Sequence, residues 1–600
     1  MKQEAHGLKT MGSSRYGINV CRTEAVMIRG IGTSKGIGIG NALLIDIDNP
    51  EIKVVKVEDT QAEKERFKAA VEEFCNTTQS VTDELESKLK GSNNTALVMR
   101  NQIYLIKDQE MIQGVNSLID NEKICAEAAF DETCKRFISI FETMDNETMN
   151  QRVADIEDLR NHVIDILMGV KRVDFASLNP GTVIVAKELR PSVTASMDID
   201  NVVGIVAENG GETSHAAILA RALEIPAVLN VKNACEKIKN NDNIIVDGEY
   251  GEIFVNPIER TVKIYEKKRK LFLETQEELK QYINKETCTK DNIKVCLAAN
   301  IGNADDAAKA VNAGAEGVGL FRTEFLFMDG IKMPTEEEQF EAYKKAAVLC
   351  KDKFLTIRTL DIGGDKDIPY MGLAKENNPF LGYRAIRFCL DRTDVFTVQL
   401  KAILRASAYG KIRIMIPMVT SVSELRQVKN IISKIMRELE KNEIAFDKNI
   451  QTGVMIETPA AAVMADVLAK EAQFFSIGTN DLTQYIMAVD RGNANVAYLY
   501  SVFNPAVLRC IKRIIKAGKE EGIEVGMCGE AAGNPAMIPL LLAYGLDEFS
   551  VSPSKVLETR KNIASWTMKE AVELENKISG MATEKEIDNY LNDYIADNKS

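Results

Sequence analysis

From about residue 290 onward, eight short apolar runs alternate with helix-length amphipathic sequence. The runs are "IKVCLAANI", "GVGLFRTEF", "FLTIRTLDIG", "IRIMIPMV", "GVMIETP", "QFFSIGTNDL", "IEVGMCGEAA" and "LDEFSVS". Few folds tolerate that rhythm. Eight strand–helix units over about 300 residues is the arithmetic of a (β/α)8 TIM barrel, with an open doubly wound sheet as the alternative.

The sequence before the barrel is patterned differently. "MIRGIGTSKGIGIGNALLI", Met27 to Ile45, reads as a glycine-punctuated opening strand pair. From 59 to 170 the pattern is helical; Phe67, Val71 and Phe74 recur at three or four residues on one face, and several such helices indicate a bundle. Between 179 and 256 short β-rich runs return, so the helical block reads as an insertion into an α/β domain. Asn256 and Pro257 then suit the start of a long charged connector helix. The expected organisation is an N-terminal extension over 1–26, disordered or left by a start at Met27. An α/β domain from 27–50 and 171–256 follows, with a helical subdomain over 51–170, a linker helix over 257–286 and the barrel over 287–600. The fold class is multidomain α/β.

Six hundred residues exceed what one core holds. A net charge of −13 argues against a nucleic-acid partner. Eleven cysteines without paired spacing point to reduced thiols in a cytoplasmic protein. No apolar run approaches a membrane span, and no signal-peptide core opens the chain.

In a barrel, side chains at the C-terminal strand ends converge on one mouth. The ends of the runs supply Arg322, Arg358, Glu457, Asn480, Asp481 and Cys528, and Arg491 follows soon after the sixth. Each alone has a blander reading, as a rim ion pair, a helix cap or an inert buried thiol. Together they make a coherent set. Arginines clamp phosphate and carboxylate by bidentate hydrogen bonds. Glu457 and Asp481 supply hard oxygens for Mg2+, which keeps some waters and binds substrate phosphate. The implied ligand is a small phosphorylated carboxylic acid.

One of only three histidines, His215, lies in "ENGGETSHAAILARALEIPAV". Gly210 and Gly211 allow a sharp turn, and Thr213 or Ser214 can cap the helix that follows. A helix N-terminus favours an anion and keeps the imidazole neutral, an environment suited to a phosphohistidine. His162 and His6 receive no function.

The "GGETSHA" segment, followed by "GLFRTEFLFM", "RTLDIGGDK", "GVMIETPAA", "SIGTNDLTQY", "VDRGN" and "GMCGEAAGNP", resembles the phosphoenolpyruvate-utilising enzymes. Within them the nearest resemblance is to the Enzyme I family of the bacterial sugar phosphotransferase system. It runs from Met27 to near the C-terminus. It implies that phosphoenolpyruvate binds with Mg2+ in the barrel mouth, that His215 attacks its phosphorus, and that the phosphoryl group passes to a histidine of the carrier protein HPr docked on the helical block. By matching motifs, Arg322, Arg358, Asn480 and Arg491 hold the substrate, Lys366 adds a contact near the phosphate, and Glu457 and Asp481 take the metal. Cys528 protonates enolpyruvate to give pyruvate, and Thr194 orients the active histidine. A cytoplasmic homodimer formed through the barrel domain is implied, with domain movement about 257–286.

Two features depart from the family. Glu212 stands where arginine is common, beside the histidine to be phosphorylated. The segment before Met27 has no counterpart in the pattern. The rival dikinases, pyruvate phosphate dikinase and phosphoenolpyruvate synthase, carry a large ATP-binding domain for which this chain has no length. A phosphoenolpyruvate sensor that relays no phosphate could dispense with Cys528, and the nitrogen-related paralogue usually adds an N-terminal sensory domain.

Overall fold

The computed structural model describes residues 26–45, 52–88, 94–142, 147–170, 178–189, 201–211, 214–328, 332–363, 368–493 and 495–598. The chain divides into two compact units, 1–275 and 276–600.

In the first unit eight strands form one sheet. They are β1 (Val26–Arg29), β2 (Ile31–Ser34), β3 (Ile37–Ile45), β4 (Thr182–Ala186), β5 (Val202–Ala207), β6 (Ala227–Leu229), β7 (Asn243–Asp247) and β8 (Glu252–Val255), in the order β1-β8-β7-β3-β4-β5-β6-β2. The Met27–Ile45 stretch is thus three strands rather than a pair. β3 pairs parallel with β4. A parallel neighbour cannot be reached by a tight turn. Here the crossover carries five helices: α1 (Thr60–Lys88), α2 (Asn94–Ile106), α3 (Gln109–Glu122), α4 (Ala126–Glu142) and α5 (Glu147–Met168). Their own core includes Phe67, Phe74, Ile119, Phe130 and Leu159. His162 packs edge-on against Phe74 at 5.0 Å, as part of that packing.

The connector helix is shorter than its sequence pattern and runs Glu259–Lys280. Asn256 does not cap it. That residue turns left-handed at φ 47°, its side-chain oxygen accepting from the Asn243 N–H and its amide donating to Asp242. The residues expected to open the helix instead close the turn after β8.

The second unit is a closed barrel of eight parallel strands: β9 (Cys296–Ile301), β10 (Gly317–Arg322), β11 (Phe354–Arg358), β12 (Lys411–Ile416), β13 (Gln451–Ile456), β14 (Phe474–Ile477), β15 (Glu524–Met527) and β16 (Glu548–Val551). β9 pairs with both β10 and β16, which removes every edge and excludes the open sheet. Helices around the barrel begin at local signals. Ser421–Glu424, Thr335–Glu338 and Thr567–Glu570 are reciprocal capping boxes.

At the N-terminal end of the barrel interior, Arg413 donates to Glu548 at 2.7 Å and Glu524 at 3.1 Å, and its guanidinium lies 3.9 Å from the Phe354 ring centre. A cavity of about 670 Å³ opens beside this cluster, lined by Lys294, Cys296, Glu316, Phe354, Lys519 and Glu524. Higher up, Leu320, Met415, Met455, Phe474 and Cys528 form a small buried cluster. Arg560, 1% exposed, ties the incoming chain to the barrel through the carbonyls of Tyr282, Ile283 and Gly314. The ten cysteines among the described residues are free thiols. No helix among them is long and apolar enough to cross a membrane.

Candidate active site

The sequence-selected barrel residues that the structure describes, Arg491 apart, lie at or just past the C-terminal ends of the strands. Arg322 and Arg358 are the last residues of β10 and β11. Glu457 follows β13 directly, and Cys528 follows β15. Asn480 and Asp481 stand in the first turn of helix Thr479–Met487, just after β14. Arg491 lies beyond that helix and is exposed. The apolar runs extend past the strands because their last residues are the start of the loops that line the mouth.

Arg358 is nearly buried and donates to Glu324, with Asp361 at 3.4 Å. Desolvation pulls its pKa down, but Glu324 and Asp361 raise it more, and it stays charged. Arg384 makes a bidentate pair with Asp361 at 2.8 and 2.9 Å and reaches Asp481 at 3.5 Å. Arg322 has no ion pair among the described residues. It is exposed at the strand end, and partial desolvation by the protein around it, then the like charge of Arg358, lowers its pKa from the arginine range. An unmatched cation beside two matched ones is the place where an anion gains most.

Glu457 is 1% exposed, and its Oε1 accepts the Met418 N–H at 2.7 Å. Desolvation, then Asp481 and Asp361, push its carboxyl up to about 8. Asp481 is 8% exposed, and its Oδ1 has no hydrogen-bond partner. Gly478 is needed here, since a Cβ would stand 2.6 Å from the other Glu457 oxygen. Crowded carboxylates with an orphaned oxygen suit a divalent cation. No group of three metal-capable side chains occurs among the described residues. Two carboxylates would leave the remaining positions to water and substrate.

Cys528 is 4% exposed, and burial pushes its thiol up to about 11. The Ser476 hydroxyl, then Arg358 and Arg322, lower it, while Glu457 raises it. The site thus holds this proton more firmly than an unperturbed cysteine would, with its ordinary pKa of about 8.5. Tyr500 links the outer residues, donating to the Asn480 carbonyl at 3.2 Å with the Arg491 side chain beside its hydroxyl. Asn480 Oδ1 accepts from the Glu530 N–H at 3.3 Å.

His215 opens helix His215–Ala222 in the other unit. Of its two candidate caps the structure gives Ser214, whose Oγ accepts from the Ala217 N–H at 3.3 Å and donates to the Gly211 carbonyl at 2.8 Å. Gly210 has φ +112°, a conformation that suits glycine. Lys366, Thr194, Glu212 and Thr213 lie outside the described residues.

Sequence reading missed Glu324, Asp361 and Arg384. Glu324 and Asp361 sit two and three residues past their strand ends, so extending the same reading into each loop finds them. Arg384 comes from far along the loop after β11 and carries no local signal.

A TIM barrel whose C-terminal mouth gathers arginines, two crowded carboxylates and a protonated thiol has the chemistry to take a small phosphorylated acid. The chain matches the PEP-utilising enzyme PEP-binding domain over residues 276–568, the mobile domain over 178–251 and the N-terminal domain over 29–152. It is 43% identical over 567 residues to the phosphoenolpyruvate-protein phosphotransferase of Staphylococcus epidermidis, covering 94% of this chain and 99% of that one. It is 45% identical over 538 residues to the same-named protein of Priestia megaterium, covering 89% and 93%. A solved structure described as the NMR solution structure of Enzyme I is 34% identical over 41% of this chain and 99% of its own, with a TM-score of 0.37. The chain belongs to the phosphoenolpyruvate-protein phosphotransferase family of PEP-utilising enzymes.

Proposed function

We propose that this enzyme passes the phosphoryl group of phosphoenolpyruvate to His215 and then to a histidine of the carrier protein HPr, releasing pyruvate, as the first step of sugar uptake by the phosphotransferase system. The observation that carries the reading is the joint placement of Arg322, Arg358, Glu457, Asp481 and Cys528 around one barrel mouth.

Phosphoryl transfer needs positioning and charge neutralisation more than covalent help. Arg322, Arg358, Asn480 and Arg491 hold the substrate, with Lys366 near the phosphate. Glu457 and Asp481 would hold Mg2+, which would supply charge neutralisation to the phosphoryl group. As the phosphorus moves to His215, the substrate is left as enolpyruvate. Cys528 gives its proton to the methylene carbon, and pyruvate forms. Its raised pKa keeps that proton available at neutral pH.

The Ser214 cap leaves the first N–H groups of helix His215–Ala222 free for the anion that His215 acquires. Thr194 orients the imidazole, and HPr docks on the α1–α5 block. Because His215 serves two partners in turn, segment 257–286 acts as a hinge. Cross-linking across it should block relay while phosphoenolpyruvate binding persists; undiminished relay would rule the hinge out. We assign the enzyme to the cytoplasm, as a homodimer formed through its barrel.

The primary test is intact-protein mass after mixing with phosphoenolpyruvate and Mg2+. One acid-labile phosphoryl group is expected on the wild type and none on His215→Ala, with transfer to added HPr. An unmodified wild type would refute the relay. Glu212→Arg in the same assay measures what the acidic neighbour does: a faster or more stable phosphorylated form is expected.

A further inference from the structure

The mouth accounts for how Cys528 keeps its proton but not for what receives the charge once the proton has gone. Four of the thiol's buried neighbours, Leu320, Met415, Met455 and Phe474, are apolar. Ser476 is different. It sits on β14 two residues after Phe474, so the period of the strand turns it toward the same barrel interior. β14 and β15 are neighbours in register, Ser476 opposite Gly526 and Ile477 opposite Met527, and the Cys528 N–H donates to the Ile477 carbonyl at 3.2 Å. This brings the Ser476 hydroxyl beside the thiol.

Ser476 is 3% exposed, its Oγ is set apart from the other donors and acceptors among the described residues, and the group it acts on is the Cys528 thiol, whose pKa its hydrogen bond lowers. Keeping a hydroxyl in a barrel interior with only a thiol, a weak partner, to serve is costly. Alanine would fill the same place without that cost. The arrangement makes sense if the hydroxyl serves the sulfur, weakly while it is a thiol and strongly once it is a thiolate.

We propose that Ser476 is a positioning residue for the proton donor, its hydroxyl donating a hydrogen bond to the Cys528 thiolate left when enolpyruvate is protonated. The inference rests on Cys528 being that donor. In the step, the S–H bond breaks and its electron pair stays on sulfur. A C–H bond forms at the methylene carbon of enolpyruvate, whose enolate electrons supply the pair. Ser476 keeps its own proton, and water returns one to sulfur after pyruvate leaves. The other charged groups facing the thiol are Arg358 from β11, Arg322 from β10 and Glu457 after β13. The arginines support the thiolate, whereas Glu457 opposes it. Ser476 also lowers the thiol's pKa against the effect of burial.

The test compares full-length wild type, Ser476→Ala, Ser476→Thr and Cys528→Ala in pyruvate formation from phosphoenolpyruvate with Mg2+ and HPr. Ser476→Ala is expected to lower kcat about tenfold, as for loss of a hydrogen bond to a charged group, with KM within about twofold. Ser476→Thr, which keeps the hydroxyl, is expected to recover most of kcat. A Ser476→Ala enzyme with wild-type kcat overturns the proposal, as does a threonine variant no better than alanine. Wild-type kcat in Cys528→Ala would overturn the donor assignment itself, a failure distinct from that of Ser476.

Discussion

At the scale of single residues, the mouth is decided by which charges are already matched. Arg358 and Arg384 are engaged by Glu324 and Asp361, while Arg322 is not paired among the described residues. Arg322→Ala should therefore weaken substrate binding most directly, raising KM for phosphoenolpyruvate at least tenfold, as for a charge-assisted contact. An unchanged KM would remove Arg322 from the substrate site. Cys528 has a pH consequence. Its folded pKa is raised to about 11, so the acid form persists through neutral pH and is lost only as pH climbs toward that value. Single-turnover pyruvate formation should show no alkaline limb near the ordinary thiol pKa of about 8.5. A limb there would mean that the thiol is not held as the structure describes.

At the scale of elements, the loops of the mouth pack closely on one another's helices. A Cβ on Gly529 would meet Thr479 Oγ1 at 1.8 Å and the Thr479 backbone nitrogen at 2.7 Å. The Cys528 loop thus packs directly on the helix that carries Asn480 and Asp481. Gly529→Ala should lower kcat more than tenfold by displacing that loop, with far-ultraviolet circular dichroism unchanged. Full activity would show that the two elements move independently. In the histidine-bearing unit, Ser214→Ala removes the N-cap of helix His215–Ala222, worth about 1 kcal/mol. Amide exchange at Ala217 and Leu219 should accelerate about fivefold, and unchanged exchange would show that tertiary packing alone holds the helix end. At the other end of the barrel, Arg413→Ala leaves Glu548 buried without its partner and should cost about 3–5 kcal/mol in urea unfolding.

At the scale of the whole molecule, the two units have separate cores. Leu297, Phe321, Ile357 and Phe549 belong to one cluster, whereas Phe74 and Phe130 belong to another. Calorimetry should resolve more than one transition. Phosphoenolpyruvate at about 100 times its dissociation constant should stabilise the barrel transition by about 2.7 kcal/mol and leave the other in place. A single transition shifted as a whole would show that the units unfold as one.

The periodicities that revealed the barrel strands and the helical block are local, because a buried strand or an amphipathic helix must repeat its apolar residues at a short interval. The identities of Arg322, Arg358, Glu457 and Cys528 were equally plain, since a parallel barrel sends every strand end to one face. Barrel closure was not local. It depends on β9 meeting β16, whose residues are far apart along the chain. Nor was the company each group keeps. Arg384 reaches Asp361 only because a long loop folds back, and Ser476 reaches Cys528 only because β14 lies beside β15. Residue type and spacing determined what chemistry this chain can perform. Burial and neighbouring charge, which exist only in the assembled barrel, decided which groups hold their protons, which cations are matched and which oxygens are left open. Electrostatic energy depends on distance and solvent access, and sequence order contains neither.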